Sequence, residues 1–192
     1  MDLLKQQEEL QKEAHQLLDE TGILEFLSKF GEIEIGGSLD SGLMVWRDID
    51  LGVIAKVLDE DKYWGIVQFL FGLNNYYHSL YIQDFRESVN PNSPKGLYVG
   101  LKIKFREKIW KVDVWYVEPR KETETNYNEW LKEQLNDENR KIILEIKSKV
   151  FEHPKYRKEI SAVDIYDSVI NEGIKNLEDF RIYIQEKKKI VL

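Results

Sequence analysis

The sequence predicts an α/β (α+β) fold: a mixed β-sheet flanked by helices, with a C-terminal helical subdomain. Three observations predict it. An amphipathic helical pattern opens the chain, several short apolar-alternating segments follow between residues 32 and 117, and little strand pattern remains after residue 125. At 192 residues with 42% hydrophobic side chains, the chain is long enough for a real core. The expected division is a sheet-bearing domain over 1–120 and a helical extension over 121–192.

Each element has its own signal. Leu3, Leu10, Ala14, Leu17 and Leu18 recur at helical spacing within residues 2–29, and Thr21-Gly22 interrupts them. Ile23–Phe30 reads as a short second helix ended by Gly31. Glu32-Ile33-Glu34-Ile35 alternates as a strand, and Gly36-Gly37-Ser38 reads as a tight turn. A connector with one helical turn covers 39–47. Asp48–Ala55 is strand-like, and Asp59 stands as N-cap of a helix reaching Leu73. Ser79–Phe85, Leu97–Phe105 and Ile109–Val117 read as a meander of strands, with a loop at 90–94 and a hairpin across Arg106-Glu107-Lys108. Helices are expected over Glu129–Phe151, Val163–Glu172 and Leu177–Glu186.

Composition narrows the function. With 28 basic and 35 acidic residues the net charge is −7, which disfavours a broad nucleic-acid footprint and tolerates a small or cationic ligand. No apolar run is long enough for a membrane-spanning helix, and the polar, helical N-terminus does not read as a secretory signal. Zero cysteines remove thiolate metal sites and cysteine nucleophiles, and a cytoplasmic location is expected. The oligomeric state stays open, homo-oligomers included. His15, His78 and His153 lack metal-ligand spacing, and the serine-hydrolase, P-loop and dinucleotide motifs are absent.

The chemistry concentrates in Ile35-Gly36-Gly37-Ser38, then Asp48-Ile49-Asp50-Leu51, then Val112-Asp113-Val114. Strand residues two apart share a face, so Asp48 and Asp50 aim together while Ile49 and Leu51 enter the core. Asp113 stands between two valines by the same logic. If the two strands are neighbours, three carboxylates converge, and such a cluster calls for a cation. Mg²⁺ takes carboxylate oxygens and completes its shell with water and phosphates. Gly37 and Ser38 supply a backbone that approaches a phosphate closely and a hydroxyl that donates to it. On average residue usage, the glycine–serine and paired-aspartate elements at this spacing would arise in roughly one unrelated chain in a few hundred.

These elements resemble the nucleotidyltransferase superfamily, with its apolar-Gly-[Gly/Ser], Asp-apolar-[Asp/Glu]-apolar and later apolar-Asp-apolar motifs. The stretch GSLDSGLMVWRDIDL is most similar to the aminoglycoside and lincosamide adenylyltransferases linked to antibiotic resistance, and resembles the minimal nucleotidyltransferases of toxin–antitoxin pairs. The resemblance covers residues 31–117. It implies transfer of a nucleoside monophosphate, AMP from ATP, to an acceptor hydroxyl with release of pyrophosphate. It further implies catalytic and metal-binding roles for Asp48, Asp50 and Asp113, two Mg²⁺ ions, and triphosphate binding by Gly37 and Ser38. One departure is Arg47, where many members carry serine before the first aspartate.

The plainer readings stand beside these. Asp48 and Asp50 can be solvent-facing strand residues, and Lys111 can simply pair with Asp113 on their shared strand face. Arg47, Lys102, Lys104 and Lys111 are phosphate contacts or ordinary surface cations. The five tryptophans are mostly core candidates, with Trp115 on the Asp113 face. Beyond transfer to a small molecule, the sequence leaves an enzyme acting on a protein or tRNA, and a silent nucleotide-binding module.

Overall fold

A computed structural model describes residues 2–73, 80–89, 94–120 and 126–192. It forms two compact units, one of Leu10–Thr125 and one of Met1–Glu9 with Asn126–Leu192.

The first unit is built on a five-stranded mixed sheet of order β1-β2-β5-β4-β3. Its strands are β1 (Glu32–Gly36), β2 (Asp48–Ile54), β3 (Leu80–Asp84), β4 (Gly96–Phe105) and β5 (Lys108–Val117). All neighbours are antiparallel except β2 and β5, which run parallel. The odd-numbered apolar side chains of β2 (Ile49, Leu51, Val53) and β4 (Leu97, Val99, Leu101, Ile103) join the even-numbered Trp110, Val112, Val114 and Tyr116 of β5 in one core. Helices complete that core: α1 (Leu3–Thr21) through Leu10, Ala14, Leu17 and Leu18, α2 (Ile23–Leu27) through Ile23 and Leu27, and α4 (Glu60–Leu73) through Tyr63, Ile66, Val67 and Leu70. Period-two alternation then forces the intervening residues of β2, β4 and β5 onto the opposite face.

Local chemistry explains several boundaries. Asp59 caps α4, its Oδ1 accepting from the Lys62 N–H at 3.1 Å. The β4–β5 hairpin turns at Arg106 and Glu107, with φ of 47° and 61°. Both lie in the left-handed region that a two-residue hairpin demands and that glycine or asparagine would adopt more easily.

Three expectations are corrected. Residues 36–38 do not form a free tight turn: β1 runs directly into the short helix α3 (Gly37–Ser41), with Gly36 extended before it. The helix expected over 129–151 is two helices, α5 (Tyr127–Gln134) and α6 (Asp137–Val150). Asn136 divides them, because its side chain accepts from the Glu138 and Asn139 N–H groups at 3.0 Å while Asn139 Oδ1 accepts from the Asn136 N–H at 2.8 Å. That reciprocal cap starts a new helix where apolar periodicity alone reads straight through. Trp64, a core candidate, is 54% exposed, whereas Trp110 is fully buried. The expected Ser79 and most of the 90–94 loop lie outside the described residues.

In the second unit α6, α7 (Ala162–Ile170) and α8 (Leu177–Lys188) pack on one another, and their Ile143, Leu144, Ile146, Ile165, Val169, Phe180 and Ile184 are buried. Ser161 and Asn176 cap α7 and α8. Among the described residues no helix is long and apolar enough to cross a membrane.

Candidate functional site

The sheet face opposite the helices carries one polar row across all five strands. Gly36 of β1 partners Asp50 of β2, Asp50 partners Asp113 of β5, Asp113 partners Gly100 of β4, and Gly100 partners Tyr81 of β3. Neighbouring strands lie about 4.8 Å apart, so Asp50 and Asp113 are adjacent on one face. Asp48 stands one step along β2 on that same face and partners Lys111. The parallel pairing thus brings Asp48, Asp50 and Asp113 together.

Their surroundings differ. Asp48 and Asp113 are only 8% and 6% exposed, while Asp50 is half-buried. Asp113 Oδ1 accepts from the Tyr98 hydroxyl at 2.7 Å, and its Oδ2 accepts from Lys111 Nζ. Lys111 Nζ also lies 3.7 Å from Asp48 Oδ1. Burial pushes the Asp113 carboxyl up from its ordinary value, with Asp48 adding to it; the Lys111 charge and the Lys111 and Tyr98 hydrogen bonds oppose that rise. The Tyr98 phenol is pushed up by burial first, then by the negative charge of Asp113, Asp48 and Asp50.

Glycines give the row its room. Gly37 has φ of +61°, and a Cβ there would overlap Asp50 Oδ2. On the other side, a Cβ on Gly100 would overlap the Tyr98 hydroxyl and lie 3.0 Å from Asp113 Oδ1. Gly37 therefore abuts the Asp50 carboxylate, and the strand–helix junction of β1 and α3 lies at one end of the acidic row. Ser38 follows it, buried, with its carbonyl accepting from the Leu43 N–H at 2.9 Å.

At the other end of the row, a pocket of about 300 Å³ is lined by Leu80, Tyr81, Tyr98, Gly100, Lys102 and Lys111 among others. An aromatic wall stands beside it: the Tyr98 ring is 4.8 Å from Trp115 and 6.3 Å from Tyr81, and Phe85 packs on both Tyr98 and Trp115. Trp115 thus borders the site rather than the helix-covered core.

Other sequence candidates fall elsewhere. Arg47 donates through Nε and Nη2 to Glu13 Oε2 at 3.1 and 2.9 Å and stacks over Trp110, so it is held toward α1. Lys104 pairs with Glu107. His153 Nδ1 accepts from the Lys155 N–H, and His78 lies outside the described residues. Sequence reasoning missed Tyr98 and Gly100. Their signal was weak: both sit at the same strand parity as Lys102 in LYVGLKIKF, visible only once the β4–β5 register is known.

Asp48 and Asp50 fit a hard divalent cation in donor type and in sharing one face. Asp113 already has a donor on each oxygen, and among the described residues no group of three or more acidic, histidine or cysteine side chains is arranged to hold a metal ion. No protein-family model matches the chain, and no curated protein matches it.

Proposed function

We propose that this chain is a nucleotidyltransferase that moves a nucleoside monophosphate, AMP from ATP, onto a hydroxyl of a small-molecule acceptor. The single observation that carries the reading is the register of β2 and β5, which makes Asp50 and Asp113 partners with Asp48 on the same face, beside Gly37.

Each residue has a role in this reading. Asp48 and Asp50 hold Mg²⁺, which neutralises phosphate charge when bound. In this reading Gly37 and Ser38 take the triphosphate tail, because the strand–helix junction that carries them abuts Asp50. The acceptor enters from the opposite end, where the pocket beside Asp113 is large enough for a ring-sized fragment. Its hydroxyl oxygen forms a bond to the α-phosphorus, the bond from that phosphorus to the pyrophosphate oxygen breaks, and the hydroxyl proton passes to the Asp113 carboxylate. Tyr98 orients that carboxylate through its hydrogen bond. In-line displacement requires the acceptor oxygen and the departing pyrophosphate on opposite sides of the α-phosphorus, and this reading assigns them to opposite ends of the row.

The test is incubation with α-labelled ATP, millimolar Mg²⁺ and acceptor panels of antibiotics, nucleotides, tRNA and cell extract. Label transfer with pyrophosphate release, lost in Asp50→Asn, is the expected result. Absence of both transfer and Mg²⁺-dependent ATP binding by calorimetry would sink the reading.

A further inference from the structure

We infer that Lys111 is a resident cation standing in for a second metal ion between Asp48 and Asp113, so that the site takes one divalent ion, at Asp48 and Asp50. This rests on the metal-dependent reading above and fixes how many ions the site accepts.

The geometry carries it in three steps. First, the parallel register sets Lys111 opposite Asp48, and its position two residues before Asp113 sets it on the Asp113 face. Second, the ammonium is engaged by both acids: Nζ donates to Asp113 Oδ2 and lies 3.7 Å from Asp48 Oδ1. The Lys111 side chain is 33% exposed, while the Asp48 and Asp113 side chains that its charge meets are 12% and 9% exposed. Third, the remaining Asp113 oxygen accepts from the Tyr98 hydroxyl. A dication approaching the gap between Asp48 and Asp113 would meet a positive charge at contact distance and would have to displace it. Asp50 lies on the other side of the row, toward Gly37, where the missing Cβ leaves its carboxylate space.

An ammonium on a four-carbon stem is a compact point charge with three donors. It neutralises Asp113 without recruitment from solution and holds that carboxylate in orientation.

The test is titration of the full chain with Mn²⁺ alone, counting free aqua-Mn²⁺ by electron paramagnetic resonance. Wild type and Lys111→Arg should bind a single ion. Lys111→Met should bind a second, with the first held about tenfold tighter once the neighbouring charge is gone. Lys111→Gln removes the charge but keeps a donor toward Asp113, and repeats the test should the methionine variant not fold. Two ions on wild type, or unchanged number and affinity in both neutral variants, would overturn the inference while leaving the metal-dependent reading standing. No binding to any variant would overturn both.

Discussion

Asp50 and Asp113 are direct partners across the only parallel strand pair found among the described residues. Two carboxylates that close on one sheet face are a costly arrangement unless cations accompany them. The fold supplies one such cation itself, from Lys111, and leaves the Asp50 side beside the Gly37 backbone.

On the proposed function, Asp48→Asn and Asp50→Asn should each lower nucleotidyl transfer by on the order of 10³-fold or more, since each would remove a charged oxygen from the proposed metal site. Far-UV circular dichroism should be unchanged, because both side chains lie on the face opposite the helix-packed core. Wild-type turnover in either variant would refute the site.

Gly37→Ala should damage stability and site together. A left-handed φ of +61° costs alanine about 1 kcal/mol. The added Cβ also overlaps Asp50 Oδ2, so the carboxylate must move. A lower urea midpoint accompanied by weaker Mn²⁺ binding is expected; a stability loss alone would show that Asp50 tolerates the shift.

Tyr63 predicts an alkaline limit. Its hydroxyl donates to the Tyr98 carbonyl at 2.6 Å, and burial, with a contribution from Asp84, pushes the phenol up to about 12. A raised folded-state value means the neutral phenol is favoured by folding. Its stabilisation is therefore complete below the unfolded value near 10 and is lost as pH rises from there to about 12. Urea midpoints of wild type should fall over that window more steeply than those of Tyr63→Phe. At pH 8 the phenylalanine variant should be about 1 kcal/mol less stable, for the lost hydrogen bond.

Glu107→Gly should stabilise the protein by about 0.5–1 kcal/mol, by relieving a left-handed backbone at φ 61° in the β4–β5 turn. The Lys104–Glu107 pair that it removes is exposed and contributes little. A thermal midpoint raised by a few degrees checks this; a lower one would mean that glycine's unfolded-state entropy outweighs the relief.

Elements whose signal is local were legible in the sequence. The α1 stripe, the Asp59 cap and the alternation of β2, β4 and β5 come from periodicity and capping within a few residues. Two features were overridden by other local chemistry: Asn136 and Asn139 cap each other and split a periodic stretch, and Gly37 opens a helical turn where a bend was expected. The site divides in the same way. Alternation alone indicated that Asp48 and Asp50 share a face, and that Lys111 shares one with Asp113. Which strand neighbours which depends on long-range pairing, so the roles of Tyr98 and Gly100 beside Asp113 became visible only with the register of β4 on β5.

The pairing of β2 with β5 also sets an order of events during synthesis. The β4–β5 hairpin closes locally, but β2 must wait for β5 to emerge before it gains that partner, since contacts between distant segments form late. Until β5 has left the ribosome, the acids of β2 and β5 stay apart, and a chain cut before β5 lacks the paired carboxylates altogether.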